Sequence, residues 1–245
     1  MVLISHKYKF IYIKTKKTGS TTTENFFTRF CIDNENNYKD SHSHDYLETK
    51  NGIVGQRILG KGNKLTVNTE LKDLNLKKYK DYYIFTTVRN PFDRMVSLYN
   101  FFKNLDIKRI ASPTYFILQK IIKSNKNLND IQLFRIFIKK SINKIYDNWN
   151  AYTLNNTPSC NYYIKQENLE NGIEKVCKKL NIDYNKYKLV SFKRQYRKTK
   201  TYREFYDEET FNLVKNKFIK EIKFFNYKFK WLFIFLFLII ISFLS

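Results

Sequence analysis

Histidine, cysteine and acid are scarce in this chain, and each scarcity narrows what it does. Only three histidines occur in 245 residues, His6, His42 and His44, so any imidazole chemistry must come from these. The three cysteines, Cys31, Cys160 and Cys177, are odd in number and far apart. That pattern argues against a disulfide framework and lacks the paired spacing of a zinc site. They read as buried thiols of a chain folded in a reducing compartment. Acid is outnumbered about two to one, 22 Asp and Glu against 45 Lys and Arg, for a net charge of +23. Such a surface attracts an anionic cofactor, an anionic acceptor or nucleic acid. A chain rich in Lys, Asn, Ile, Tyr and Phe, of the kind an AT-rich genome encodes, also carries lysine simply on solvated faces. The lysines are spread along the chain rather than gathered in an arm, which speaks against a nucleic-acid tail and a specific nucleic-acid partner. No internal repeat is present. The N-terminus, Met-Val-Leu-Ile-Ser-His-Lys, has no basic stretch leading into a long apolar run, so it reads without a signal peptide.

What is present is enough for a folded α/β domain. Hydrophobic residues make up 43% and aromatics 18%, which argues against disorder. A β-rich segment, Lys9 to Thr15, runs into Lys16-Lys17-Thr18-Gly19-Ser20-Thr21-Thr22 and then a helix-compatible stretch to Phe30. A strand feeding a tight turn at a helix N-terminus points unpaired amides and the positive end of the dipole at one place. Lys17 adds a point charge there, and the hydroxyls add donors. A second strand, Tyr82 to Val88, leads through Arg89-Asn90-Pro91 into a helix reaching about Lys103, with proline in the first turn. Helical spacing follows over Thr114 to Lys123 and Asn129 to Tyr146, the latter through Ile131, Phe134, Ile138, Ile142 and Ile145. Tyr162 to Lys165 predicts a strand and Leu169 to Leu180 a helix. Asp207 predicts an N-cap, with Glu208 and Glu209 opening a helix to about Phe224. Asp33 to Asn51 reads as loop, and Gly52 to Gly60 as a short strand between glycine turns. Strands alternating with helices predict a parallel sheet wrapped by helices. A Walker-type nucleotide site would need Gly-x-x-x-x-Gly-Lys-[Ser/Thr]; here the lysine precedes the loop's only glycine.

The end of the chain is different. Trp231 to Ser245 reads WLFIFLFLIIISFLS, uncharged and preceded by Lys228 and Lys230. It is short against the roughly 20 residues that cross a bilayer, but Phe224, Phe225 and snorkelling lysines extend it. The expectation is a membrane anchor over 229–245, in a single pass at the C-terminal end. The lysines on its N-terminal side place the rest of the chain on the cytoplasmic side.

Three segments carry a resemblance. Lys17-Thr18-Gly19-Ser20-Thr21 after a short strand resembles the 5′-phosphosulfate loop of sulfotransferase family 2, the carbohydrate-type sulfotransferases. Arg89-Asn90-Pro91-Phe92-Asp93-Arg94-Met95-Val96-Ser97 is similar to that family's 3′-phosphate motif. Tyr162 to Glu170, Val176 to Ile182 and Tyr202 to Thr210 resemble its C-terminal half in order. The likeness runs from about Ile4 to Phe229 and is clearest at the three motifs. It implies a P-loop-like three-layer α/β domain with a central parallel sheet over 1–228. It also implies 3′-phosphoadenosine-5′-phosphosulfate as donor and in-line transfer of a sulfuryl group, without a metal, to a hydroxyl of a glycan or glycolipid.

By the resemblance, Lys17, Thr18, Gly19, Ser20, Thr21 and Thr22 hold the 5′ end, with Lys17 also neutralising the leaving oxygen. Arg89 and Ser97 hold the 3′-phosphate, while Arg94 is assigned to structural ion pairing and Tyr202 and Arg203 to a loop near the cofactor. Related proteins carry a histidine shortly before a helix resembling Ser-Ala-x-Glu-Leu-Lys. The equivalent here, Leu65-Thr66-Val67-Asn68-Thr69-Glu70-Leu71-Lys72, has none. The candidate bases are therefore His44, then His42, in Ser41-His42-Ser43-His44, with Glu70 as a carboxylate substitute. A membrane-anchored nucleotide binder without turnover, and a basic nucleic-acid binder, are the rival classes.

Overall fold

The computed structural model describes residues 2–33, 46–55, 65–66, 68–105, 112–190 and 201–229. The expected anchor, from Lys230 onward, and both His42 and His44 lie outside the described residues. Among the described residues no helix is long and apolar enough to cross a membrane. Contacts divide the chain into two compact units, where the sequence suggested one domain: residues 1–89 with 147–193, and residues 90–146 with 194–245.

The first unit is built on a six-stranded sheet. Its strands are β1 (Val2–Ser5), β2 (Phe10–Ile13), β3 (Leu47–Thr49), β4 (Gly52–Val54), β5 (Tyr83–Val88) and β8 (Tyr162–Lys165), in the order β3-β4-β1-β2-β5-β8. Only β2–β5 and β5–β8 are parallel; β1 pairs antiparallel with both β2 and β4, and β3 with β4. The sheet is therefore mixed rather than parallel. The cause is local: Val2–Ser5 and Phe10–Ile13 are close enough in sequence to fold back as a hairpin, which needs no crossover helix. Leu47–Thr49 likewise pairs where only loop was expected.

Alternation along the strands sends Leu3, Phe10, Tyr12 and Phe85 to one face, against α1 (Ser20–Thr28) and α5 (Leu169–Lys179). Phe26, Phe27 and Phe30 from the first helical segment and Ile173, Val176 and Cys177 from α5 complete this core. Each such side chain contributes roughly 1.5–3 kcal/mol of burial. On the opposite face Val2, Ile4, Ile11 and Ile13 are fully buried as well. A two-stranded ladder, β6 (Thr153–Leu154) and β7 (Thr157–Pro158), stands apart from the main sheet.

The second unit is helical: α2 (Pro91–Lys103), α3 (Pro113–Ser124), α4 (Asp130–Ser141), α6 (Glu208–Lys217) and α7 (Ile219–Phe224). Phe92, Met95, Val96, Tyr99 and Phe102 recur at three- and four-residue spacing on α2 and bury against Tyr115, Leu118, Phe134, Phe137 and Ile138. Caps set the starts: Asn129 accepts from the amides of Ile131 and Gln132, and Asp207 from that of Thr210. The helix expected to run on to Phe224 breaks at Phe218, a buried residue that leaves helical geometry. Arg94 lies 4.4 Å over the Phe218 ring and bonds Glu221 of α7 at 3.0 Å, both charged groups being buried. The ion pairing assigned to Arg94 is thus the one observed. Phe229, counted from the sequence with the anchor, packs its ring against Phe92 and Phe211 in this same core.

Candidate functional site

β2 ends at Ile13, and the chain then makes its turn through Lys14–Gly19 into α1. Two residues of that turn are left-handed: Lys17 at φ 64° and Gly19, the helix N-cap, at φ 76°. For glycine this is costless, whereas for lysine it costs on the order of 1–2 kcal/mol. A side chain at position 19 would also meet Leu169 Cδ2 at 3.2 Å and Gln166 Cγ at 3.3 Å, where β8 passes into α5. The amides of Ser20 and Thr21 sit in the first turn of α1, where no intrahelical acceptor exists. The backbone is thereby shaped to present N–H groups at the positive end of a nine-residue helix.

Two other segments, around Asn148 and at the end of β5, hold the turn in this strained form. Asn148 Oδ1 accepts from the Lys16 amide at 2.9 Å, and its Nδ2 donates to the Lys16 carbonyl at 2.9 Å. Arg89, just past β5, donates from Nη1 to the Lys17 carbonyl at 3.3 Å. Beneath the turn the Thr87 hydroxyl meets Thr18 Oγ1 at 2.9 Å and Tyr12 OH at 3.1 Å, while Thr18 also meets Thr15 Oγ1 at 2.7 Å. Thr15 donates to the Thr87 carbonyl, and Tyr12 OH to the Ser20 carbonyl at 3.3 Å. Burial in this network pushes the Tyr12 phenol far up, so it stays a neutral donor. One turn into the helix, fully buried Glu24 forms an ion pair with Lys14.

The sequence-predicted donors therefore divide. Lys17, Gly19 and Thr21 are half-buried and Lys16 is exposed, whereas Thr18, Ser20 and Thr22 are buried. The hydroxyl of Thr18 supports the turn from inside. Lys16 reaches solvent from crowded surroundings; burial pushes its ammonium down, and the Glu70 carboxylate opposes that shift. Glu70 thus lies within electrostatic reach of the turn. It opens a short 3-10 helix, Leu71–Asp73, and pairs with Lys72 at 2.8 Å. The described histidine, His6, hydrogen-bonds Tyr82 at 2.9 Å. Both precede their parallel strands, so they sit at the end of the sheet opposite the turn.

Ser97 lies half-buried on α2, in the helical unit. In that unit Asn90 caps α2 through the Phe92 amide at 3.0 Å and donates to Tyr202 OH at 3.4 Å. The Arg203 guanidinium stacks over the Tyr202 ring at 5.0 Å. Sequence reasoning missed Asn148, Thr87, Thr15 and the Lys14–Glu24 pair. Lys14 and Glu24 flank the motif with opposite charge, a signal that was legible; Asn148 carries none. The cysteines are free thiols, with burial raising the Cys177 thiol to about 12 and the Cys31 thiol well above its ordinary value. Among the described residues no group of His, Cys, Asp and Glu is placed to hold a metal.

The model of the sulfotransferase family matches residues 1–228. The chain belongs to the sulfotransferase family. That match spans both units and includes the turn, the Arg89 motif and the C-terminal helices. No curated protein and no solved structure matches the chain. Family membership makes it a transferase of sulfuryl groups in general terms.

Proposed function

We propose that this sulfotransferase takes its sulfuryl group from 3′-phosphoadenosine-5′-phosphosulfate and passes it to a hydroxyl of a carbohydrate or glycolipid. The observation that supports this is the turn from Lys14 to Gly19, its polar groups braced from Asn148, Arg89 and Thr87, at the N-terminus of a nine-residue helix. Such a cradle suits the phosphosulfate, with Lys17 beside the bridging oxygen. The sulfur–oxygen bond to the 5′-phosphate breaks as the bond to the acceptor oxygen forms. A base takes the hydroxyl proton, and the 3′,5′-bisphosphate departs with the charge that Lys17 and the amides stabilise. Arg89 serves the 3′-phosphate as a bidentate donor, with Ser97 as the second candidate from the same motif.

For the base, Glu70 gains support from its electrostatic coupling to Lys16 and is kept as a candidate together with His44 and His42. The apolar run from Trp231 to Ser245 serves as a membrane anchor, with the enzyme on the cytoplasmic side.

Calorimetric titration of 3′-phosphoadenosine-5′-phosphate into the full chain tests the donor. The wild type binds, while Lys17→Ala and Arg89→Ala each lose on the order of tenfold or more in affinity. No binding by the wild type overturns the donor assignment, and binding unchanged in both variants overturns the site. Turnover on a panel of glycans with Glu70→Gln, His44→Ala and His42→Ala then identifies the base by loss of kcat. Flotation of the full chain with liposomes, set against a chain ending at Phe229, tests the anchor.

A further inference from the structure

We propose that Asn148 is a positioning residue for sulfuryl transfer, the clamp that fixes Lys17 and the helix amides in their binding geometry. This rests on the donor reading above. Asn148 is almost fully buried, with 1% of its surface exposed, yet its side chain is spent wholly on the main chain of one residue 132 positions earlier. It accepts from the Lys16 N–H and donates to the Lys16 C=O, both at 2.9 Å. A carboxamide bonded in this manner mimics a neighbouring peptide group, as if Lys16 were paired to a strand one residue long. Of the common side chains only a carboxamide offers a donor and an acceptor side by side. Aspartate would set an oxygen against the Lys16 carbonyl, and glutamine would carry the amide one methylene too far.

The clamp is itself braced. Asn148 opens a 3-10 helix running to Tyr152, capped where Asp147 accepts from the Trp149 amide at 3.1 Å. Trp149 Nε1 donates to Asn156 Oδ1 at 2.8 Å beyond it. What the clamp holds is the residue just before the left-handed lysine. Lys17 adopts φ 64° only because its neighbours determine it, and strain of that kind persists where surrounding contacts impose it. With Lys16 released, the turn relaxes towards an ordinary conformation, and both the ammonium and the following amides leave their places. Asn148 touches neither donor nor acceptor in this account; it acts through Lys16.

The test uses Asn148→Leu, close in size and without either bond, and Asn148→Asp, which keeps an acceptor and loses the donor. Two ligands separate a local from a global effect. Affinity for 3′-phosphoadenosine-5′-phosphate should fall about tenfold in both variants, while affinity for adenosine 3′-monophosphate, which lacks the 5′ group, stays unchanged. With donor and acceptor saturating, kcat falls up to about 100-fold, as expected when a reacting group is misplaced by an ångström. In the Lys17→Ala background Asn148→Leu costs clearly less than it does alone, since the share of the ammonium is already gone and only the displaced amides add to the loss. Asn148→Gln restores less than half of the lost affinity.

Equal losses for both ligands, or additive effects with Lys17→Ala, overturn the positioning role and leave a merely structural one. Hydrogen exchange at the Lys16 amide needs no ligand: it should be protected in the wild type and fast in Asn148→Leu. Fast exchange in the wild type overturns the clamp. A protected amide with no bisphosphate binding by the wild type would instead overturn the donor reading.

Discussion

Single residues decide whether the turn after β2 exists. Gly19 is required twice over, by its φ of 76° and by the contacts a Cβ would make with Leu169 and Gln166. Gly19→Ala should lower stability by about 1–2 kcal/mol and weaken bisphosphate binding together, read by urea unfolding and calorimetry. The choice of glycine was legible in the sequence because only that residue tolerates a left-handed N-cap without strain. The left-handed lysine beside it was not, since nothing in Lys16-Lys17-Thr18 distinguishes the strained member. The threonines divide for a similar reason. A row of hydroxyls reads as a row of donors, but Thr18 turns inward to Thr15 and Thr87, and only the path of β5 beside β2 determines that.

Among the elements, caps and ion pairs carry the testable energetics. Asp207 holds the start of α6 through the Thr210 amide at 2.9 Å, and Arg135 lies near. Burial pushes its carboxyl up, but the Thr210 bonds with Arg135 and Lys139 outweigh it and hold it below 3.8. A depressed carboxyl stabilises the fold above its unfolded value and ceases to do so as pH falls through the folded one. Asp207→Ala should therefore cost about 1 kcal/mol near neutral pH, with the gap to wild type closing below about pH 3.8 in urea melts. Between α2 and α7 the stakes are higher, because Arg94 and Glu221 are both buried. Glu221→Gln leaves an uncompensated guanidinium and should cost about 3–5 kcal/mol. Replacing both by apolar residues of similar size should cost less than the single change, a comparison that chemical denaturation of the two variants settles. The Asp207 cap was plain in the sequence since capping is local. The break at Phe218 was not, because Phe218 is buried against a partner, Arg94, more than a hundred residues away.

For the whole molecule, charge and chain end set the remaining expectations. With a net charge of +23, the protein should bind polyanions weakly and lose them steeply as salt rises, and Lys17→Ala should leave that binding unchanged. Retention on an anionic column against salt measures this. A polyanion affinity abolished by Lys17→Ala would show that the turn, rather than the general charge, carries it. Phe229, the last of the described residues, packs into the helical core, its ring 4.8 Å from Phe92 and 5.0 Å from Phe211. A chain stopped after Phe229 should unfold like the full chain, and one stopped after Lys228 should lose roughly 1–2 kcal/mol in urea titrations.

By itself the sequence determined the α/β class, the strand–turn–helix at Lys17 to Thr22, the Arg89 turn into α2 and the family. All of these rest on short-range patterns: period, cap chemistry and motif spacing. Tertiary structure alone decided that the sheet is mixed, that the chain forms two units, and that the turn's polar groups are satisfied by Asn148, Arg89 and Thr87. Those outcomes depend on which distant segments meet, and a hydrogen bond between residues 132 positions apart leaves no periodicity in the chain. The strand–turn–helix announces itself in the sequence; what braces its turn becomes visible only when distant segments are laid side by side.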